Sequence, residues 1–165
     1  MVREISSGGV VLREISDTWH VALIEPQKES PATAKGPRKR VKAALALPKG
    51  LVDPGETAPV TAIREVHEET GIVAELIAKL ADIKYVYVRT WAGGERVFKI
   101  VSFYLLHYEA GEIDDIAPEM RIEVARAHWV PLEDAPKLLA YKGEKDVVRR
   151  ALEYVKTHLV PEAST

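Results

Sequence analysis

The chain has 165 residues, a net charge of −2 at pH 7 and no cysteine, and 47% of its residues are apolar. These values are typical of one globular domain, and the near-neutral charge gives no general attraction to nucleic acid or membranes. The absence of cysteine excludes disulfides, thiolate metal sites and cysteine nucleophiles. The charged N-terminus differs from a signal peptide, and no apolar run reaches the roughly 18 residues of a membrane span. We therefore expect a cytoplasmic protein.

The first part of the chain predicts a hairpin followed by an exposed basic loop. Residues 3–14 and 19–25 are rich in β-branched and apolar side chains, and they predict two antiparallel strands. Residues 26–42 contain three prolines and a cluster of five basic side chains, which predicts an exposed loop. Within it, Arg38 and Arg40 are candidate ligands of a polyanionic substrate, and a solvated linker is the alternative.

The central part predicts a short strand, a loop and one helix. Residues 43–47 are apolar and predict the strand, and residues 50–56 predict the loop. The helix is predicted to follow Thr57 as N-cap and to end at Thr70, because Gly71 is typical of a helix C-terminus. The apolar positions expected to pack inward at helical spacing are Ala62, Ile63 and Val66.

The rest of the chain predicts strands followed by helices. The predicted elements are strands over 72–91, 96–108 and 122–130, a short helix over 131–139 and an amphipathic helix over 143–158. The predicted order is strands, one helix, more strands and then two helices. This order favours an α+β fold, in which helices pack on one mixed sheet. We expect a single domain over residues 1–160 and a frayed tail over residues 161–165.

Three glutamates of the predicted central helix share one face. Glu65, Glu68 and Glu69 are spaced i, i+3 and i+4, which places their carboxylates a few Å apart. Like charges at this distance repel each other, and near a helix C-terminus they also oppose the macrodipole. The face therefore predicts a metal site turned toward a cleft or solvent. The alternative is a solvated acidic face with an ordinary Arg64–Glu68 ion pair.

The loop and helix together follow a longer pattern. Residues 50–72 match G-x5-E-x7-R-E-U-x-E-E-x-G-U, in which U is apolar, and its fixed positions are Gly50, Glu56, Arg64, Glu65, Val66, Glu68, Glu69, Gly71 and Ile72. This pattern resembles the Nudix box, the signature of hydrolases that act on nucleoside diphosphates linked to another group. The resemblance covers about residues 2–155 and implies a Nudix-type mixed β-sheet sandwiched between helices.

A metal site follows from the reaction that the resemblance implies. Divalent cations neutralise phosphate oxygens and acidify water, and Mg²⁺ prefers a few carboxylates completed by substrate oxygens. The resemblance implies Glu65 and Glu69 as metal ligands and Glu68 as a further ligand or as the residue that holds the attacking water. It also implies the backbone carbonyl of Lys49 as a ligand. Mg²⁺ is the expected cofactor, with Mn²⁺ as a substitute.

The remaining box positions support the carboxylates. By resemblance, Arg64 and Glu56 keep the box carboxylates in place, a use that suits the planar guanidinium. Gly50 and Gly71 are positions at which a side chain would block the backbone conformation. His67 lies off the acidic face and is expected to be merely exposed.

Outside the box, residues 121–154 resemble the diadenosine tetraphosphate hydrolase branch. This resemblance implies Glu123 as a ligand or base and Tyr141 as a residue that stacks on adenine, while Lys99 is a candidate phosphate contact. The alternatives are a packed Tyr141, a solvent-facing Lys99 and an ordinary loop carboxylate at Glu123. The chain departs from that branch at Ala46, where a tryptophan is common, and in the basic loop, which resembles an insertion.

The predicted function is Mg²⁺-dependent hydrolysis of a pyrophosphate bond, with a diadenosine polyphosphate as the first substrate. ADP-ribose, an oxidised nucleotide, a capped RNA end and a diphosphoinositol polyphosphate remain alternatives within this class. A non-catalytic nucleotide-binding sensor is a different class, although such domains usually lose box carboxylates. The expected partner is a small nucleotide, with no membrane and no nucleic acid apart from capped RNA, and the protein is a monomer or a homodimer.

Overall fold

The computed structural model describes residues 2–27, 44–89 and 93–158. Its elements are β1 (Val2–Ile15), β2 (Thr18–Pro26), β3 (Lys49–Leu51), α1 (Ala58–Thr70), β4 (Val73–Arg89), β5 (Glu95–Ala110), a 3₁₀ helix (Pro118–Ile122), β6 (Val124–Pro131), α2 (Ala135–Leu138) and α3 (Lys142–His158). The predicted α+β fold is confirmed. Arg38 and Arg40 of the predicted basic loop lie outside the described residues, as does the predicted tail.

One mixed sheet runs through the molecule in the order β4-β5-β1-β2-β6, with β3 paired to β1. β1 and β5 are parallel, whereas the other pairs are antiparallel. The predicted first hairpin is confirmed, with Ser16 and Asp17 in its turn at φ values of 50° and 66°. The pairing leaves β1 between β5 on one side and β2 and β3 on the other, so its central residues are buried.

Helices cover both faces of the sheet. On one face, α3 packs its buried stripe over sheet residues, and the two sides of this contact include Val147, Val148, Ala151, Val10, Val101 and Phe103. On the other face, α1 packs over the sheet, and this contact includes Ala62, Val66, Val11 and Leu106. Burial of each large apolar side chain contributes about 1.5–3 kcal/mol. In the described part of the chain, no helix is long and apolar enough to cross a membrane.

The bounds of α1 agree with the prediction. Thr57 is the N-cap, although its side chain makes no capping hydrogen bond. Gly71 ends the helix in the left-handed conformation at φ 85°, and its N–H donates to the carbonyl of His67. Ala62 and Val66 are fully buried, as predicted, while Ile63 is only partly buried at the edge of the core. His67 is exposed, in agreement with the prediction.

Several local predictions were wrong. In place of a strand over 43–47, the described residues Leu45 and Ala46 make only isolated bridges. The predicted loop over 50–56 instead begins with the last two residues of β3, since Gly50 and Leu51 pair with β1. Ile122 belongs to the 3₁₀ helix rather than to the strand that follows it.

The strand predicted over 72–91 is confirmed as β4, in which the alternation of residue types is clearest over Tyr85–Val88. All four residues are exposed. Three of them, Tyr85, Val86 and Tyr87, line a cavity instead of packing into the core. Alternation along a strand indicates two different faces, and only the neighbouring elements determine whether either face is covered.

Candidate active site

The acidic face of α1 meets β3 beside a cleft. Glu69 Oε1 accepts a hydrogen bond from the Lys49 N–H at 2.7 Å. Glu65 and Glu69 are only 8% and 5% exposed, so two of the three predicted ligands are buried at the cleft rather than solvated. β3 passes so close to α1 that a Cβ atom at Gly50 would overlap the Glu65 carboxyl group. A glycine at this position therefore allows the Glu65 carboxyl group to lie against β3.

Arg64 connects three glutamates of the box. Its guanidinium donates to Glu65 Oε1 at 2.9 Å and to both oxygens of Glu68 at 3.2 Å. Two further bonds of 2.8 Å go to Glu56, and one of 3.1 Å goes to the Leu51 carbonyl. The planar fork of arginine can serve several acceptors at once. The structure therefore contains a network around Arg64 instead of the isolated Arg64–Glu68 ion pair.

The carboxylates of the box differ in their proton affinity. Burial raises the pKa of Glu69 to about 8, although the Lys49 N–H bond opposes the shift. Burial also raises the pKa of Glu65, and the charge of Arg64 opposes it. The Arg64 hydrogen bonds instead lower the pKa of Glu56 to about 2, and the same bonds raise the pKa of Arg64 itself. At Glu56 the contact with Arg64 outweighs burial, whereas at Glu65 and Glu69 burial outweighs the groups that favour the ionised form.

This donor set fits a divalent cation. Buried carboxylate oxygens are hard ligands, and because burial raises the pKa of Glu65 and of Glu69, a cation beside them would favour their ionised form. Among the described residues, no three acidic or histidine side chains already form a metal cage. Mg²⁺ needs no such cage, because it completes its shell with water and substrate oxygens. The residues that would hold it are Glu65, Glu68, Glu69 and the carbonyl of Lys49.

A cavity of about 310 Å³ opens beside these carboxylates. It is lined by predicted site residues from distant parts of the chain, namely Lys49, Gly50, Glu69, Lys99, Glu123 and Tyr141. An adjoining cavity of about 340 Å³ shares Lys49, Lys99 and Tyr141 with the first and extends along Tyr85 and Tyr87. Glu65 and Glu68 lie on the same helix but do not line either cavity. The cleft therefore runs from an acidic end past two lysines to a tyrosine-rich end.

Sequence reasoning missed Glu144, which organises the wall of the cleft. This carboxylate is 1% exposed, accepts the Leu47 N–H at 2.7 Å and pairs with Lys49 Nζ at 2.8 Å. The sequence offered a signal, because Glu144 lies three, four and seven residues before Val147, Val148 and Ala151, which form the buried stripe of α3. An acidic residue on an apolar stripe indicates a buried polar partner.

Two other features of the cleft were also missed. Tyr85 and Tyr87 were interpreted only as part of an alternating strand, yet both line the second cavity. Ser6 lies on β1 and lines the first cavity. No feature of the sequence around Ser6 distinguishes it from other small strand residues.

Residues 16–151 match the NUDIX domain. The chain belongs to the NUDIX domain family. The MutT4 protein of Mycobacterium tuberculosis (strain CDC 1551 / Oshkosh) is 38% identical over 157 residues, which cover 93% of this chain and 56% of that protein. The 8-oxo-(d)GTP phosphatase of Mycolicibacterium smegmatis is 36% identical over 149 residues, which cover 88% of this chain and 40% of that protein. The chain thus spans about half the length of these relatives.

A solved structure shows the same Nudix architecture. The C. elegans Ap4A hydrolase in a binary complex superimposes with a TM-score of 0.65 and 22% identity, over 93% of this chain and 98% of that chain. At this identity the likeness is one of fold. The predicted Nudix fold is therefore confirmed, with the Nudix box formed by β3, the loop after it, α1 and its terminating glycine.

Proposed function

We propose that this Nudix domain hydrolyses a pyrophosphate bond in a nucleoside diphosphate linked to another group, with Mg²⁺ held by the box glutamates. The observation that carries the proposal is the position of Glu69, which borders the same cavity as Lys49 and Lys99. Carboxylates bind metal cations, and ammonium groups bind phosphate oxygens. A cleft that presents both is suited to a chain of phosphates with a bound cation.

The residues of the cleft have different proposed roles in the reaction. Mg²⁺, when bound, supplies charge neutralisation and lowers the pKa of water. Glu65 and Glu69 are buried carboxylates, so we assign them to metal binding. Glu68 is the most exposed of the three glutamates, and Arg64 orients both carboxylate oxygens of Glu68. Each oxygen keeps a further lone pair, so we assign a Glu68 carboxylate oxygen to accept the proton of the attacking water, with Glu123 as the alternative base at the cavity wall.

The first candidate substrate is a diadenosine polyphosphate. Tyr141 is an exposed aromatic residue at the junction of the two cavities, where it is available to stack on a base. Lys99 lines both cavities and is placed to contact phosphates between them. The two adjoining cavities would take the phosphate chain beside the box and a base beside Tyr141.

An oxidised nucleoside triphosphate is the second candidate. The relative from Mycolicibacterium smegmatis, which is 36% identical, is named an 8-oxo-(d)GTP phosphatase. Such a substrate would use the same carboxylates and lysines but only one base position. The two candidates therefore differ in the tyrosine-rich part of the cleft rather than in the box.

A product assay separates these possibilities. The protein would be incubated with Mg²⁺ and diadenosine tetraphosphate, 8-oxo-dGTP, ADP-ribose, capped RNA and a diphosphoinositol polyphosphate, with products identified by mass. We expect Glu69→Gln to abolish most Mg²⁺-dependent product while the exposed α3 control Glu153→Gln retains wild-type turnover. Full turnover of Glu69→Gln would show that the metal assignment is wrong. Tight nucleotide binding without product over hours would instead favour a sensor.

A further inference from the structure

The hydroxyl group of Ser6 is buried without a partner in the wall of the cleft. Ser6 lies on β1, is 1% exposed and lines the cavity that Glu69, Lys49 and Lys99 border. Within the described ranges, its Oγ is the only buried side-chain oxygen or nitrogen without a hydrogen-bond partner. Leaving a buried hydroxyl unpaired costs about 1–3 kcal/mol, so its position points to a group that binds there.

The other buried serines have hydrogen-bond partners, so the unpaired hydroxyl is specific to Ser6. Ser7 Oγ donates to the Ala58 carbonyl at 2.6 Å, and Ser102 Oγ donates to Asp82 Oδ1 at 2.6 Å. Successive residues of a strand face opposite sides of the sheet. Ser7 therefore anchors the start of α1 on one face, while Ser6 points into the cleft on the other.

The strand register places Ser6 between two lysines. On β5, Lys99 pairs with Glu4 and therefore lies on the same face as Ser6, one pleat away. On β3, Lys49 pairs with Gly8, which is also one pleat from Ser6 on this face. This face of the sheet therefore carries a lysine on each strand beside Ser6, although the Lys49 ammonium also pairs with Glu144. A hydroxyl on a face that attracts anions in this way is placed to donate to an anionic oxygen.

We propose that Ser6 Oγ donates a hydrogen bond to a non-bridging phosphate oxygen of the substrate. This inference rests on the proposed function, and it adds a neutral donor on the sheet to the lysines and the box carboxylates. A hydrogen bond to a charged group contributes more than one between neutral groups. Its loss should weaken phosphate binding by about 10-fold or more.

The test compares Ser6→Ala with the matched neighbour Ser7→Ala. Ser6→Ala removes an unsatisfied hydroxyl, so we expect the thermal midpoint of the nucleotide-free protein to stay unchanged or to rise. Ser7→Ala should lower the midpoint, because it loses the bond to Ala58. Calorimetry with Mg²⁺ and imidodiphosphate, a pyrophosphate analogue with an uncleavable P–N–P bridge, should show about 10-fold weaker binding for Ser6→Ala and wild-type binding for Ser7→Ala.

Several outcomes would overturn the inference. Unchanged imidodiphosphate affinity in Ser6→Ala would mean that water alone satisfies the hydroxyl, and a lowered midpoint would assign Ser6 a structural role. Failure of the wild-type protein to bind imidodiphosphate would also overturn it. The proposed function fails separately, if the wild-type protein hydrolyses no nucleotide of the panel. If the wild-type protein hydrolyses a nucleotide and Ser6→Ala has the same kcat/KM, only the role of Ser6 is rejected.

Discussion

Lys49 Nζ and Glu144 Oε2 form an ion pair of 2.8 Å between residues that are 95 positions apart in the chain. Glu144 also accepts the Leu47 N–H, so α3 is attached at two points to the segment that leads into β3. The same segment presents the Lys49 N–H to Glu69. The C-terminal helix, which contributes no residue to the Nudix box, therefore holds one side of the box in position.

Glu144→Ala should destabilise the protein substantially. The substitution leaves the buried Leu47 N–H and the Lys49 ammonium without their acceptor, and we expect the free energy of unfolding to fall by about 2–4 kcal/mol. Glu144→Gln keeps an acceptor oxygen and should lose less. Urea denaturation measures both, with the exposed Glu153→Ala on the same helix as the control, for which a change within about 0.5 kcal/mol is expected. Wild-type stability of Glu144→Ala would contradict this role.

The stability of the metal-free protein should fall as the pH rises, because of Glu69. Its pKa is raised from 4.5 to about 8 in the folded protein, so the folded state holds this proton more tightly than the unfolded state. The contribution is complete below about pH 4.5 and is lost as the pH rises through about 8, by no more than about 5 kcal/mol. Denaturation in EDTA between these pH values should show a slope in the wild type that Glu69→Gln reduces. Parallel slopes in the two proteins would reject the assignment.

Glu56 should have the opposite pH dependence. The Arg64 hydrogen bonds lower its folded-state pKa to about 2, so its contribution to stability is present above the unfolded pKa of about 4.5 and is lost as the pH falls through 2. Glu56→Gln should therefore be less stable than the wild type near neutral pH, and the difference should shrink in acid. Chemical denaturation at several pH values between these limits provides the measurement. A difference that is constant with pH would mean that the ionised carboxylate is not the stabilising form.

Gly50→Ala should damage the site more than the fold. The added Cβ would overlap the Glu65 carboxyl group, so either β3 or the carboxylate must move away from the metal position. We expect at least about a 10-fold loss of Mg²⁺-dependent turnover, with a circular dichroism spectrum like that of the wild type. Retention of full turnover would show that Glu65 tolerates displacement.

Gly71→Ala provides the complementary case. Gly71 has φ 85°, and a Cβ there would lie 2.5 Å from the Glu112 carbonyl oxygen and 2.7 Å from that of Asp115. Both the backbone conformation and the contacts oppose a side chain, so we expect a loss of about 1–3 kcal/mol in the free energy of unfolding. Thermal or urea denaturation of the variant measures this loss, and a value near zero would contradict the strain.

The sequence by itself determined those features that depend on neighbouring residues. The caps and apolar spacing of α1 are local, so Thr57, Gly71 and the shared face of the three glutamates were all predicted correctly. The order of strands and helices was sufficient for the α+β fold, and the pattern over 50–72 was sufficient for the family. Short elements were less predictable, because Ala46 and Gly50 acquire their conformation from pairing with distant strands.

The tertiary structure alone decided which groups share the cleft and which are buried. Ser6, Lys99, Glu123 and the neighbours Tyr141 and Glu144 come from four separate segments, and only the sheet register and the packing of α3 bring them together. Burial raises the pKa of Glu65 and of Glu69, and the helical spacing had left open whether their face meets a cleft or solvent. The box thus encodes its carboxylates through helical spacing, while their charge state and the surrounding phosphate and base contacts depend on long-range contacts.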